Sequence, residues 1–452
     1  MGSSSINLSS LLSALGSSSS GIDVQSAVAQ AIAADSVPMQ QWEQQQATLQ
    51  TQTSAIQSIE GDITTLTDSL NALGDPAGAL TSMTTTSSNT NVVSASALAG
   101  TTAGNHVVVV NNLASTASWY SNSVASGDTQ LAAGSFTLQV GSGQPTVINI
   151  GGGVDTLNQL ATSINGLNLG VSANVVNDAS GSRLAIVSNT SGTAANFTIS
   201  NASGLTFTQA VAGQDASLTI DGIPIDSASN SVSGAVTGVT FNLQSAAPGT
   251  EVDVSIAPDN SAASQAISSF VSAYNKVIGD VNTQYTVGSN NQEGPLGGDS
   301  ALRMLQSILL GSGSYTAASG SIRSLADLGI TMNNDGTLTL DSSTLDNAIQ
   351  NNFGGVQSFL QGTSSNGFGN SLNTQVSALT DPVSGAFTVD LQSISNENKD
   401  LQDQINNFQT YLNNQQTLLT NEYNQADILL QQLPEEEAQI NAELGYPPTT
   451  KS

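Results

Sequence analysis

Two apolar stripes with the period of a coiled-coil helix lie at opposite ends of this chain, and neither is stable in water alone. In the first, Leu49, Gln52, Ile56, Ile59, Ile63, Leu66, Leu70 and Leu73 recur at alternating steps of three and four, with Trp42 one heptad upstream of Leu49. Gly74-Asp75-Pro76 marks its end. In the second, Ile394, Asn398, Leu401, Ile405, Phe408, Leu412, Gln415, Leu419, Glu422, Ala426, Leu429 and Leu433 form the seam, and Pro434 is expected to stop the helix. Laying the two helices side by side buries both stripes. The competing arrangement has each stripe covering the body of a globular domain. The outer faces carry Gln, Asn and Thr where Lys and Glu are usual, so charge pairing contributes little between the helices. Neutral polar faces can also be packed into a larger assembly without burying charge.

Between the stripes the pattern changes to period two with Gly- and Asn-rich turns. Residues 107–110, 135–140, 146–150, 171–176 and 183–188 read as strands. One helix interrupts them, with Thr156 and Gln159 as a capping box and Leu157, Leu160, Ala161 and Ile164 on one face. A second β region follows at 216–220, 238–243 and 251–256, with an Asp221-Gly222 turn. Helical periodicity returns in Ile267, Phe270, Val271, Tyr274, Val277 and Ile278, and again after Gly294-Pro295.

The expected fold is therefore α+β, elongated and multidomain. Paired terminal coiled-coil helices, a helical head and two central β-rich domains are nested in an out-and-back chain. The expected divisions are a disordered segment at 1–20, N-terminal leg helices at 21–75 paired with 385–433, and a discontinuous β domain formed by 76–113 with 213–260. An inserted α+β domain at 114–212, a helical and β-hairpin head at 261–384, and a flexible tail at 434–452 complete the chain.

Charge narrows the partners. There are 34 acidic residues against six basic ones, giving a net charge of −28. Six scattered cations cannot form the clustered patch that a phosphate backbone or an anionic membrane requires, so no nucleic acid and no membrane insertion are expected. Such a surface suits life outside the cytosol, in an acidic medium. Cysteine is absent, which excludes disulfides and thiolate chemistry. No apolar run is long enough to span a bilayer, and MGSSSINLSSLLSALGSSSSG lacks the basic n-region of a signal peptide. A cytosolic protein, or one exported by a route that reads no cleaved signal, is expected.

Candidate chemical sites are sparse. His106 is the only histidine and has no second histidine with which to hold a metal; nor is there a Gly-x-Ser-x-Gly elbow. MNNDGTLTLDSSTLDNAI superficially imitates a calcium loop but lacks its alternating ligands and terminal Glu, and Asp335-Gly336 reads as a hairpin turn. Gly151-Gly152-Gly153 precedes a helix without the spacing of a dinucleotide loop. The expectation is a protein that is not an enzyme and uses no cofactor or metal.

Several segments together carry a resemblance. GIDVQSAVAQAIAADSVPMQQWEQQQATLQTQTSAIQSI, LTIDGIPIDSASNSVSGAVTGVTFNLQSAAPGTEVDVSIAPD, FVSAYNKVIGDVN, GPLGGDSALRMLQSIL and LADLGITMNNDGTLTLDSSTLDNAIQNNFGGVQSFL are similar to segments of the flagellar filament cap proteins, the FliD family, over about 21–433. The resemblance implies an extracellular homo-oligomeric ring at the flagellum tip that assists flagellin insertion and prevents its loss. It also implies export unfolded through the flagellar type III apparatus, hook–filament junction proteins as neighbours, and a cytosolic export chaperone, placed here on the C-terminal tail.

On this reading Ile22, Asp23, Val24, Trp42, Leu49 and Ile56 are the expected leg contacts with flagellin and the filament. Ile59, Ile63, Leu66, Leu70, Leu73, Leu401, Ile405, Phe408, Leu412 and Leu419 form the expected helix-pairing seam. The near absence of Lys and Arg puts any inter-subunit salt bridge carried over from the family in doubt. The rival readings are another flagellar axial protein and an extracellular adhesin that binds glycan or mucin.

Overall fold

A computed structural model of the chain describes residues 23–287, 293–362 and 366–444. Helices α1 (Val24–Asp35) and α2 (Val37–Gly74) run from the N-terminus, and the long α8 (Ala386–Glu443) returns at the other end. Asp23 caps α1 by accepting a hydrogen bond from Ser26 N at 3.1 Å. The same device opens α4 (Asn260–Tyr285) on Asp259, α5 (Ser300–Ser312) on Asp299 and α6 (Ser342–Gln361) on Asp341. Part of the acidic excess therefore satisfies amide donors at helix starts that have no partner within the helix.

Three apolar cores hold the described residues. The helical core gathers Ile56 to Leu73 of α2 with Ile267, Phe270 and Tyr274 of α4, α5, α6, and Phe368, Leu372 and Val376 of α7 (Phe368–Ser377). Phe387, in the first turn of α8, closes it. A short hairpin of β16 (Ile330–Met332) and β17 (Leu338–Leu340), turning through Asp335-Gly336 as expected, packs on α4.

The second core lies between two antiparallel sheets. One has the order β1 (Met83–Ser87), β15 (Val252–Pro258), β3 (Gly104–Asn112), β11 (Ala216–Ile220) and β12 (Ile223–Ser227). The other has β13 (Ser231–Val236), β14 (Val239–Leu243) and β2 (Val93–Ala97). Alternate residues Val108, Val110, Leu218 and Val254 face Phe241 across the gap. Asp221 (φ 53°) and Gly222 (φ 79°) make the two-residue turn between β11 and β12, whose left-handed geometry suits a right-twisted hairpin.

The third core is inserted between β3 and β11. It joins β10 (Phe207–Val211), β4 (Ser118–Ser121), β8 (Gly181–Ser188) and β7 (Val171–Asp178) to a sheet of β6 (Thr146–Ile150), β5 (Gly134–Val140) and β9 (Phe197–Ser200). Helix α3 (Leu157–Gly166) covers it with Leu157, Leu160, Ala161 and Ile164, the face read from the sequence. Thr156 Oγ1 caps Gln159 N at 3.2 Å, and Gln159 Oε1 returns to Asp155 N at 2.8 Å rather than to Thr156.

One expectation is corrected. Pro434 does not stop α8, which continues to Glu443. Proline removes the N–H that would bond Leu430 O, but on an exposed helix water satisfies that carbonyl. Glu435, Glu436, Glu437, Ala438 and Gln439 are strong helix formers, and the three glutamates follow the proline as they would follow a helix start. The segment from Pro434 to Leu444 is thus described as helix and turn, and not as a flexible tail. The expected disordered segment at 1–20 and the last residues of the tail lie outside the described residues.

Candidate assembly interface

The terminal helices meet as an antiparallel pair. Both α1 and α2 lie against α8. Ala27 and Val28 are the buried residues of α1, and Ser36, with Pro38 beside it, marks the step between α1 and α2. Trp42 meets Phe408 edge to face with ring centroids 5.3 Å apart, and Phe408 stacks on Tyr411 at 5.5 Å. One turn on, Gln46 Nε2 donates to Asn398 O at 3.2 Å and Gln402 Oε1 at 3.3 Å. Leu49, Leu401, Ile405 and Leu412 are buried in the same region. These cross-helix contacts are aromatic, aliphatic and amide in character.

The structure divides the seam that the sequence joins. Ile59, Ile63, Leu66, Leu70 and Leu73 are fully buried, but their neighbours are α4 and α7 of the helical core, not Leu401 to Leu419 of α8. Register is the reason. With Trp42 opposite Phe408 and Gln46 opposite Asn398 and Gln402, α2 reaches the start of α8 near Ile56 to Ile63, where Leu391 and Ile394 still cover the core. Beyond that level no turn of α8 remains, and the stripe is buried by the head. Ile56 sits inside that core, Leu49 lies in the helix pair, Val24 is half-buried and Asp23 is exposed at the cap. Ile22 lies outside the described residues.

The other half of the α8 seam has the opposite fate. Leu419 is half-buried, whereas Leu418, Ile428, Leu429, Leu430, Leu433 and Ile440 are exposed, Leu429 by 63%. An apolar row of this length is uncommon on a surface without a partner.

Two features of the leg–head junction escaped sequence reasoning. Lys276 Nζ on α4 bonds Asp280 at 2.6 Å and Asp62 on α2 at 3.1 Å. The signal available was one of six cations four residues from an aspartate on a helix face. Burial raises the Asp62 carboxyl, whereas hydrogen bonding to Asp62 and Lys276 lowers Asp280. Where α8 leaves the head, Asp390 Oδ2 is buried with no hydrogen-bond partner among the described residues. Burial first, then the nearby Asp299, raises its pKa.

Comparison with known proteins decides the family. Residues 20–117 match the model described as flagellar hook-associated protein 2 N-terminus, and residues 213–435 match its C-terminus. The chain belongs to the flagellar hook-associated protein 2 family, the FliD cap proteins. Residues 135–190 of the inserted module also match the flagellin hook IN motif. The B-type flagellar hook-associated protein 2 of Pseudomonas aeruginosa is 29% identical over 348 residues, covering 70% of this chain and 73% of that protein. Flagellar hook-associated protein 2 of Escherichia coli K12 is 29% identical over 373 residues, covering 76% and 79%. Among solved structures, the D1-D2-D3 domains of the E. coli flagellar cap protein FliD superpose with a TM-score of 0.64 at 27% identity, over 75% of this chain and 99% of that one. That likeness extends to the α+β class with terminal helices and central β-rich modules.

Proposed function

We propose that this chain works at the distal tip of the flagellar filament as a closed homo-oligomeric cap, seating incoming flagellin and preventing its loss. The observation that carries the reading is the division of α8. Its first half is held by α1 and α2, while among the described residues its second half leaves an apolar row exposed. A leg of that kind gains its remaining burial only inside an assembly, and neutral Asn, Gln and Thr enter such an assembly without stranding ions. The matches at both ends to hook-associated protein 2 models disfavour flagellin, a junction protein or an adhesin as the primary role.

In this reading α1, α2 and α8 form the leg, with Asp23, Val24 and the half-buried Trp42 toward flagellin and the filament, whereas Leu49 serves the helix pair. The helical core (261–384 with the end of α2) is the head. The two β modules, 76–113 with 213–260 and 114–212, form the plate that closes the growing end. Export proceeds without a cleaved signal, a cytosolic chaperone holds the end of α8 from Pro434 onward, and junction proteins are the first surface met. The mechanism is mechanical: leg helices occupy lattice sites and yield them as each flagellin folds.

The test replaces Phe408 and Leu412 together by Asp in a cap-deficient strain. Two carboxylates in the α1–α2–α8 contact should unpair the leg, leave the β modules folded and abolish filament growth. Filaments of wild-type length would contradict the reading.

A further inference from the structure

The chain passes from the inner β module to the inserted one at 113–117 and returns at 211–216. Ser115 and Gln214 pair these two passes, through Ser115 N to Gln214 O at 2.9 Å and Gln214 N to Ser115 O at 3.3 Å. A two-stranded ribbon alone bends about its own axis. Beside it lies a cleft of about 1040 Å³, lined from both modules by Ser115, Asn189, Ser191, Ala228 and Asn230 among others, into which such a bend would close.

Side chains oppose the bend. Asn196 of the inserted module grips Gly213 on the return pass by both its N–H and its C=O, each at 2.7 Å. Asn230 of the inner module grips Ala114 on the outward pass in the same two-sided way, at 2.7 and 3.0 Å. A third attachment lies off the ribbon, where the loop after β8 reaches across the cleft. Ser191 Oγ donates to Ala228 O at 2.6 Å away from the ribbon, and the same loop is held to the return pass by Asp215, which accepts from Thr193 N at 2.7 Å and Thr193 Oγ1 at 3.0 Å. Gly192 between them has φ +100°, and a Cβ there would meet Ala228 Cβ at 2.7 Å and Asp215 Oδ1 at 2.9 Å. Only glycine permits so close an approach.

From this arrangement we propose that Ser191, Thr193 and Asp215 are positioning residues that weld the two β modules into one rigid body at a fixed angle. Two attachments along a ribbon leave a rotation axis; a third attachment away from that axis removes it. The inserted module therefore transmits load to the inner module instead of swinging on it, whatever surface it meets.

The test needs only the purified chain and does not depend on the capping role. Because the chain has no cysteine, spin labels at Ala179→Cys and Ile223→Cys, at the far hairpin tips of the two modules, report their separation by pulsed electron resonance. A single narrow distance distribution is expected. Ser191→Ala with Asp215→Ala should broaden it severalfold, whereas Thr193→Ser, which keeps both donors, should leave it narrow. A broad distribution in the labelled parent chain would overturn the proposal without recourse to any variant. So would a narrow one that survives the double substitution.

Discussion

Trp42 and Phe408, from opposite ends of the chain, meet edge to face at 5.3 Å with their planes 86° apart, and this contact sets the register of the leg. An aromatic pair of this geometry contributes about 0.5–1.5 kcal/mol beyond the area it buries. Trp42→Ala should therefore speed amide hydrogen exchange around Leu401 to Leu412 while leaving exchange in α4 unchanged, because the helical core is a separate cluster. Equal loss of protection in both would show that leg and head unfold as one unit.

Tyr274 separates packing from hydrogen bonding in the head. Its ring is fully buried, its hydroxyl donates to Leu309 O at 2.8 Å, and burial pushes its pKa up to about 12. Ser312 Oγ donates to the same carbonyl at 2.7 Å. Tyr274→Phe should cost only about 0.5–1.5 kcal/mol, since the carbonyl keeps a donor. Tyr274→Ala should cost about 3–5 kcal/mol, in line with other buried aromatic truncations. Urea unfolding distinguishes the two, and equal losses would contradict the account.

Acid sensitivity has a named source at Asp341. Hydrogen bonds from the Ser343 and Thr344 hydroxyls, followed by their backbone N–H groups, lower its carboxyl to about 2 from an ordinary value of 3.8. The folded pKa is depressed, so this contribution is present above 3.8 and is lost as pH falls toward 2. Asp341→Asn keeps a good cap but does not titrate, so thermal melts should show a shallower acid limb for the variant. An unchanged slope across that window would refute the assignment.

Asp390 has the opposite sign. Burial and Asp299 raise its folded pKa, so its favourable contribution is present below 3.8 and is lost as pH rises through the higher folded value. Asp390→Asn should raise the melting temperature at neutral pH and give no gain at pH about 3. A lower melting temperature at neutral pH would mean that the ionised carboxylate is held by a partner.

The helices were legible because burial repeats at every turn. Leu49 to Leu73 and Leu401 to Leu412 are buried at the spacing the sequence shows. What the stripe could not disclose was its partner, because an apolar seam reads the same whether another leg helix or a head helix covers it; register alone separated Ile59 to Leu73 from α8. The strands read from the sequence are mostly those with an alternating apolar face, such as Val107–Val110 and Arg183–Ser188. Those missed, β1, β2, β9, β10, β12 and β13, all lie at sheet edges, where one row of backbone groups lacks a neighbour strand and polar side chains are tolerated. Missed too was β4 (SWYS), too short to show alternation. The clamps of Asn196, Asn230 and Asp215 left no sequence signal, since Asn and Asp in loops are commonplace.

The central claim is closure of the assembly, and the solution mass and shape of the purified full-length chain test it most directly, by light scattering coupled to negative-stain imaging. Closed rings, or rings back to back, with legs protruding from one face are the predicted result. Open helical polymers, or a monomer that persists at high concentration, would contradict it.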